Sequence, residues 1–255
     1  MSTSTQAPVF IGGLMKSGTS LLRKLLSLHP NLFGGLETHW FTDDFVEHWQ
    51  DGQSTRQQWL GQFFDVSEQK MENIRERSGS AYDFLDNFMH YCTQRAGKKR
   101  WIEKTPDNVF HMDTIRKYWP QAKILIMQRD LRDVYASWKK NKKRNLENFL
   151  EVATQFKNIV QSQKDKEHLL TVSYFDLVIH TKKVLEEILN FIDEPYIDGL
   201  ENYQGDNRDY EKVLAVTGKI SPTTASLKKP IFTNSIGQWE EILNHQEILR
   251  IEEIQ

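Results

Sequence analysis

Short apolar runs and longer amphipathic stretches alternate along this chain. Val9, Phe10 and Ile11 form the first run; after a turn holding Gly12, Gly13 and Gly18, Leu21, Leu22, Leu25, Leu26 and Leu28 recur with helical spacing. The pattern predicts strands at Pro8 to Gly12, Leu32 to Glu37, Lys99 to Lys104, Ala122 to Arg129 and Leu169 to Tyr174. Further helices are predicted from Asp130 to about Lys143 and from Lys182 to Ile192. Strands that alternate with helices imply an α/β fold: a central, mostly parallel sheet flanked by helices, with ligands bound beyond the strands' C-terminal ends. A polar helical region, about residues 41–97, separates the second and third strands and is too long for one crossover helix. It predicts a helical insertion within a single domain spanning 1–255. Its Trp49, Trp59, Phe63, Phe64, Tyr82, Phe84, Phe88 and Tyr91 read either as a substrate wall or as the insertion's own core.

Composition narrows the function classes. With 255 residues the chain can bury a proper core, and 38% hydrophobic against 27% charged residues fits a soluble protein. A net charge of −2 offers no global basic field for nucleic acid or an anionic membrane, so any anion site is local. Cys92 is the only cysteine, which excludes an internal disulfide framework and a cysteine-rich zinc site. The opening MSTSTQAPVF has neither a positive n-region nor an apolar h-region, and no stretch reaches the ~20 apolar residues of a membrane span. A cytoplasmic location is the expectation.

The first strand–turn–helix is the leading candidate for chemistry. Free N–H groups and the positive end of a helix converge there, so phosphate or sulfate is the natural ligand. It is not a standard nucleotide P-loop. Gly13 and Gly18 have the required spacing, but Thr19 occupies the lysine position and Lys16 lies inside the loop, where its side chain can curl over an anion. A second stretch, "KILIMQRDLRDVYASW", ends a strand at Arg129, with Asp130 placed to cap the next helix and Asp133 in its first turn. Ser137 lies eight residues, about two helical turns, beyond Arg129, so both can converge on one phosphate. The alternative for Arg129 is an ion pair with Asp133.

Taken together, "KSGTSLL" and "RDLRDVYAS" resemble the sulfotransferases that use 3′-phosphoadenosine 5′-phosphosulfate (PAPS). "VSYFDLVIHTKKVLEEILNFIDEPYID" and "NSIGQWEEIL" are similar to two further elements of that family, in the same order. The resemblance implies a three-layer P-loop-like fold, PAPS as co-substrate, adenosine 3′,5′-bisphosphate (PAP) as product and no metal. It assigns Gly13, Lys16, Ser17, Gly18, Thr19 and Ser20 to the 5′-phosphosulfate, with Lys16 at the leaving oxygen. It assigns Arg129 and Ser137 to the 3′-phosphate, and Tyr174, Ser235, Gly237 and Trp239 to the rest of the nucleotide site.

The acceptor's base is read from a further likeness. Cytosolic animal sulfotransferases carry a histidine in a K-T-H element, where this chain has Pro106 of "EKTPDN". Golgi carbohydrate sulfotransferases use a glutamate in E-x-H-F-F, which "ETHWF" resembles. Glu37 is therefore the expected base, a role that requires a pKa raised by burial or neighbours, and His39 is the runner-up, able instead to bind the acceptor or orient the carboxylate. Lys104 is a secondary site residue, because a strand-end Glu103–Lys104 pair also reads as structural; Asp107 and His111 fall to the following helix. Leu21 stands where many relatives place an adenine-stacking tryptophan, leaving Tyr174 or Trp239 for that role. Gln238 replaces the arginine of S-I-G-R-W, with Lys228 and Lys229 as substitutes. The ending "RIEEIQ" leaves a trimmed terminus open. The expected acceptor is a hydroxyl, or less readily an amine, of a small metabolite or carbohydrate; a homo-oligomer stays open. The other readings are an ATP- and Mg²⁺-dependent phosphotransferase and a non-catalytic nucleotide-binding module.

Overall fold

The computed structural model describes residues 6–52, 54–140, 145–163 and 166–255. Five strands form one sheet: β1 (Val9–Gly13), β2 (Leu32–Gly34), β3 (Arg100–Lys104), β4 (Lys123–Gln128) and β5 (Leu169–Ser173). Their order is β2-β3-β1-β4-β5 and each pairing is parallel, with Ile11 opposite Lys104 on one side and Leu125 on the other. The helices are α1 (Thr19–Ser27), α2 (Asp43–His48), α3 (Thr55–Phe64), α4 (Glu68–Glu76), α5 (Ala81–Arg95), α6 (Met112–Tyr118) and α7 (Leu131–Lys140), then α8 (Leu146–Gln163), α9 (Tyr174–Ile179), α10 (Thr181–Phe191), α11 (Arg208–Thr217), α12 (Pro222–Ser226) and α13 (His245–Glu252).

Alternation along the central strands explains the three layers. Phe10, Ile124 and Ile126 face one core with the insertion's Phe84 and Phe88 and with Trp101 and Trp119. Val9, Ile11, Leu125 and Met127 face the other, against Leu22, Leu25 and Leu26 of α1 and Leu185 and Ile188 of α10. The three α1 leucines are fully buried, each worth roughly 1.5–3 kcal/mol relative to exposure. Leu21 and Leu28 are only half-buried.

The differences from the expected elements are local. β2 stops at Gly34 rather than Glu37, because the chain turns tightly against α3: a Cβ at Gly35 would lie 2.1 Å from the Phe64 ring. The helix expected to run to Lys143 is described to Lys140, and 141–143 lie outside the described residues. Asp130 does cap it, accepting the Arg132 N–H at 2.8 Å. The insertion comprises α2 to α5, and three of the eight aromatics named above belong to its buried core: Phe84 and Phe88 are fully buried, and Phe64 is nearly so. No described helix is long and apolar enough to cross a membrane.

Candidate active site

A cavity of about 840 Å³ opens at the C-terminal end of the sheet. It is enclosed by the β1–α1 loop, the turn after β2, the end of β3, Arg129 and Ser137, α3 of the insertion, and a return segment between residues 203 and 238.

The loop is shaped to present main-chain donors. Gly12 passes so close to the 3-10 turn over Pro106–His111 that a Cβ would sit 2.7 Å from the Val109 nitrogen. Gly18, at φ +103, lies against Tyr174, whose ring would be 2.4 Å from a Cβ; both the backbone and the space demand glycine. No side chain caps α1, so its first-turn N–H groups are left for a ligand. Lys16 has the left-handed φ of 76, and its Nζ donates to Thr223 Oγ1 of α12 at 2.6 Å.

Arg129 ties this loop to the C-terminal segment. Its Nη1 donates to the Lys16 carbonyl at 2.9 Å and its Nη2 to the Ser235 carbonyl. The guanidinium covers the Tyr174 ring at 4.5 Å, while the Tyr174 hydroxyl and Ser235 Oγ are 2.6 Å apart. The Asp133 pairing also exists, at 4.0 Å between two buried side chains. Arg129 Nε is buried and has no hydrogen-bond partner among the described residues. Ser137 lines the same cavity, so the eight-residue spacing does bring the two side chains to one site. An uncapped helix start, a glycine packed on an aromatic ring and an arginine with an orphaned donor fit a nucleotide with two anionic ends. Lys16, Gly18, Thr19, Ser20, Arg129 and Ser137 would hold it.

On the other side, Glu37 meets Lys104. Lys104 is buried, and its Nζ donates to Glu37 Oε1 and to Ser20 Oγ, the latter at 2.9 Å. His39 Nε2 lies 3.2 Å from Glu37 Oε2. Burial would raise the Glu37 carboxyl, but Lys104 and His39 outweigh it and hold the group well below the usual carboxylate range. The raised pKa that a base would need is not what this environment gives: at Glu37 the shift is downward. The Glu103–Lys104 pair is corrected, because strand alternation turns Lys104 into the cavity and Glu103 into the core.

A family model described as "Sulfotransferase family" matches residues 8–198. This chain belongs to the sulfotransferase family. It is 22% identical over 252 residues to protein-tyrosine sulfotransferase 1 of Danio rerio, covering 91% of this chain and 65% of that protein. It is 23% identical over 247 residues to protein-tyrosine sulfotransferase of Drosophila melanogaster, covering 91% of this chain and 46% of the relative. The chain therefore spans between about half and two thirds of the length of these relatives. Its fold is that of the sulfotransferase domain from the Synechococcus PCC 7002 olefin synthase (TM-score 0.69, 20% identity, 99% of this chain and 97% of that one). The resemblance read from the sequence stands, with the P-loop-like α/β architecture and PAPS as the donor expected of the family.

Several assigned residues of this sulfotransferase lie elsewhere than expected. Ser17 and Gly13 do not line the cavity: Ser17 is buried under the loop, its N–H bonded to the Leu14 carbonyl at 3.0 Å and its hydroxyl close to Gly13. Gly237 and Trp239 donate their N–H groups to Asp133 at 3.0 and 3.3 Å, and the Trp239 ring is covered by Arg132 at 4.1 Å, so this pair braces α7 and is not among the residues that line the cavity. Tyr174 lines the cavity, as do Leu21, Gln238 and Lys229, whereas Lys228 lies over Tyr210 at 4.0 Å. His111 stacks on Phe41, with centroids 5.0 Å apart. Sequence reading missed Arg23, Arg56 and the return segment that carries α11 and α12. Arg23 had one signal: "LLRKLL" sets two cations inside an apolar stripe, where they demand buried partners. Asp209 pairs with Arg23, and both Asp206 (3.1 Å) and Asp209 (3.3 Å) pair with Lys24.

Proposed function

We propose that this sulfotransferase transfers the sulfuryl group of PAPS to a phenolic hydroxyl, that of a tyrosine side chain in a peptide or protein. The observation that carries the reading is the Glu37 carboxylate, bonded by Lys104 and 3.2 Å from His39 Nε2, beside an aromatic wall. A phenol, whose pKa is about 10, gives up its proton to a carboxylate far more readily than an aliphatic hydroxyl with an acidity near that of water, ~15.7. Trp59 and Phe63 of α3, with Phe232 and Leu36, offer apolar surface to a ring. Arg56 stacks on Trp59 at 5.1 Å; burial lowers its guanidinium, and the charges of Asp44 and Glu37 oppose that. The names of the protein-tyrosine sulfotransferase relatives support the same acceptor.

PAPS would supply an activated sulfuryl group. Lys16, on its strained loop position, would meet negative charge on the leaving oxygen, releasing Thr223 as it does so. Glu37 would take the hydroxyl proton, and Lys104, bonded to both Glu37 and Ser20, would link the acceptor side to the loop. Arg129 and Ser137 would fix the far end of the nucleotide.

Incubation with sulfur-labelled PAPS and parallel acceptors tests this: a tyrosyl peptide, its phenylalanine counterpart, a simple phenol, a sugar and a sterol. Label is expected on the tyrosyl peptide and, more weakly, on the phenol. Efficient labelling of the sugar or sterol with none on the phenolic acceptors would return the reading to a carbohydrate or small-metabolite enzyme.

A further inference from the structure

A buried polar cluster lies directly behind the Glu37 turn and outside the cavity. Glu103, next to last in β3, is 1% exposed. Its Oε1 accepts hydroxyl hydrogens from Thr38 at 2.6 Å and Thr105 at 2.7 Å, and its Oε2 accepts from Asn108 Nδ2. Asn108 also donates to the Ile11 carbonyl of β1 at 3.0 Å, which anchors the cluster to the sheet's central strand. Thr38, Thr105 and Asn108 are all buried.

This cluster reaches the active site through the backbone. Thr38 and His39 are the two residues after Glu37, and the His39 N–H donates to Thr105 Oγ1 at 3.0 Å. His39 has a φ of 51, a left-handed conformation that a residue with a Cβ keeps only when its surroundings hold it. The Thr105 hydroxyl both accepts from His39 and donates to Glu103, so the carboxylate orients that hydroxyl. One step along β3, Lys104 points the other way and bonds Glu37. Adjacent residues of one strand therefore fix the Glu37 turn from both sides: Lys104 from the cavity, Glu103 from the core.

We propose that Glu103 is a positioning residue, a buried carboxylate that acts through Thr38 and Thr105 to hold the Glu37–His39 turn in register with Lys104. The proposal rests on the reading of Glu37 and Lys104 as the acceptor side of the sulfuryl-transfer site. Two hydroxyls and an amide converging on one buried carboxylate are more than the end of a three-residue β2 needs, but they suit a turn whose side chains must stay within a fraction of an ångström of a reacting group.

The test compares the wild-type protein with Glu103→Gln, Thr105→Val, Thr105→Ser and the Glu103→Gln/Thr105→Val double variant. Three quantities are measured: turnover with PAPS and the tyrosyl peptide, PAP affinity by calorimetry, and the His39 ring resonances by NMR. Glu103→Gln and Thr105→Val are expected to lower kcat by about tenfold or more, to move the His39 resonances and to leave PAP affinity unchanged. Thr105→Ser, which keeps the hydroxyl, is expected to match the wild type. The double variant should be no worse than the poorer single one, because both changes break the same chain. Full kcat in either folded single variant, losses that multiply in the double, or a parallel fall in PAP affinity would overturn the proposal. If Glu103→Gln does not fold, the Thr105→Val and Thr105→Ser pair decides by the same criteria. An inactive wild type would reject the acceptor reading instead; the His39 resonances, unmoved by Glu103→Gln and Thr105→Val, would then reject the positioning role separately.

Discussion

Arg129 reaches 113 residues back along the chain to the main-chain oxygen of Lys16, with its Nη1 2.9 Å away. A single guanidinium thus holds the carbonyl of the residue proposed to meet the leaving oxygen, while its own Nε stays without a partner among the described residues. The two ends of the proposed nucleotide site are joined through this side chain.

That joint sets the first expectation. Arg129→Ala should weaken PAPS and PAP binding by roughly ten- to a hundredfold, corresponding to about 1.5–3 kcal/mol for a charge-assisted contact. Adenosine 5′-phosphosulfate lacks the 3′-phosphate and should lose much less. Because Arg129 also bonds the Ser235 carbonyl, a thermal melt must accompany the titration. Equal losses for both donors in a folded variant would deny Arg129 its phosphate role.

Lys16→Ala and Glu37→Gln should each reduce kcat by about 10²-fold or more. They should differ in binding: Glu37→Gln leaves PAP affinity nearly unchanged, whereas Lys16→Ala weakens it. Steady-state kinetics with product-binding calorimetry separate the two. A Glu37→Gln enzyme with normal turnover would shift the base assignment to His39.

Acid should loosen the return segment. Burial alone would raise both carboxyls, but Arg208 and Lys24 hold Asp206, and Arg23 and Lys24 hold Asp209, below the usual aspartate range. A carboxyl depressed in the folded state adds stability above its unfolded pKa, about 3.9, and that stability is lost as pH falls through the folded value. Melting temperature should therefore drop on acidification below about pH 4, and Asp206→Asn should flatten that drop. Asp209→Asn should be severe at neutral pH, because Arg23, 3% exposed, would keep its charge without its carboxylate; breaking such a pair costs about 3–5 kcal/mol. Chemical denaturation gives the value directly.

Cys92 should be inert. Burial pushes its thiol up to about 12, with Arg95 opposing, so native protein should not react with a thiol reagent at pH 8 and denatured protein should react once per chain. Rapid labelling of the native state would show that α5 opens.

Turnover is expected to be unaffected by EDTA, since the proposed site meets anionic charge with Lys16, Arg129 and main-chain donors. Loss of activity reversed by Mg²⁺ would revive a phosphotransferase.

What depends on local spacing was legible in the chain's order of residues. Alternating apolar runs placed five strands within a few residues of their ends, the glycine spacing and inward Lys16 marked an anion loop unlike a nucleotide P-loop, and two helical turns between Arg129 and Ser137 put both at one cavity. Tertiary structure decided everything that depends on who faces whom across the chain. Trp239 looked like a stacking ring and lies under Arg132, and Ser17 looked like a ligand donor and is buried with its hydroxyl close to Gly13. Glu103 and Lys104 looked like partners, yet strand alternation gives one to Thr38 and Thr105 and the other to Glu37. The acidity of Glu37 could not be read from the sequence for the same reason. A carboxyl's pKa is set by the balance between burial and the charges brought beside it, and Lys104 comes beside Glu37 from 67 residues away only because β2 and β3 pair in parallel.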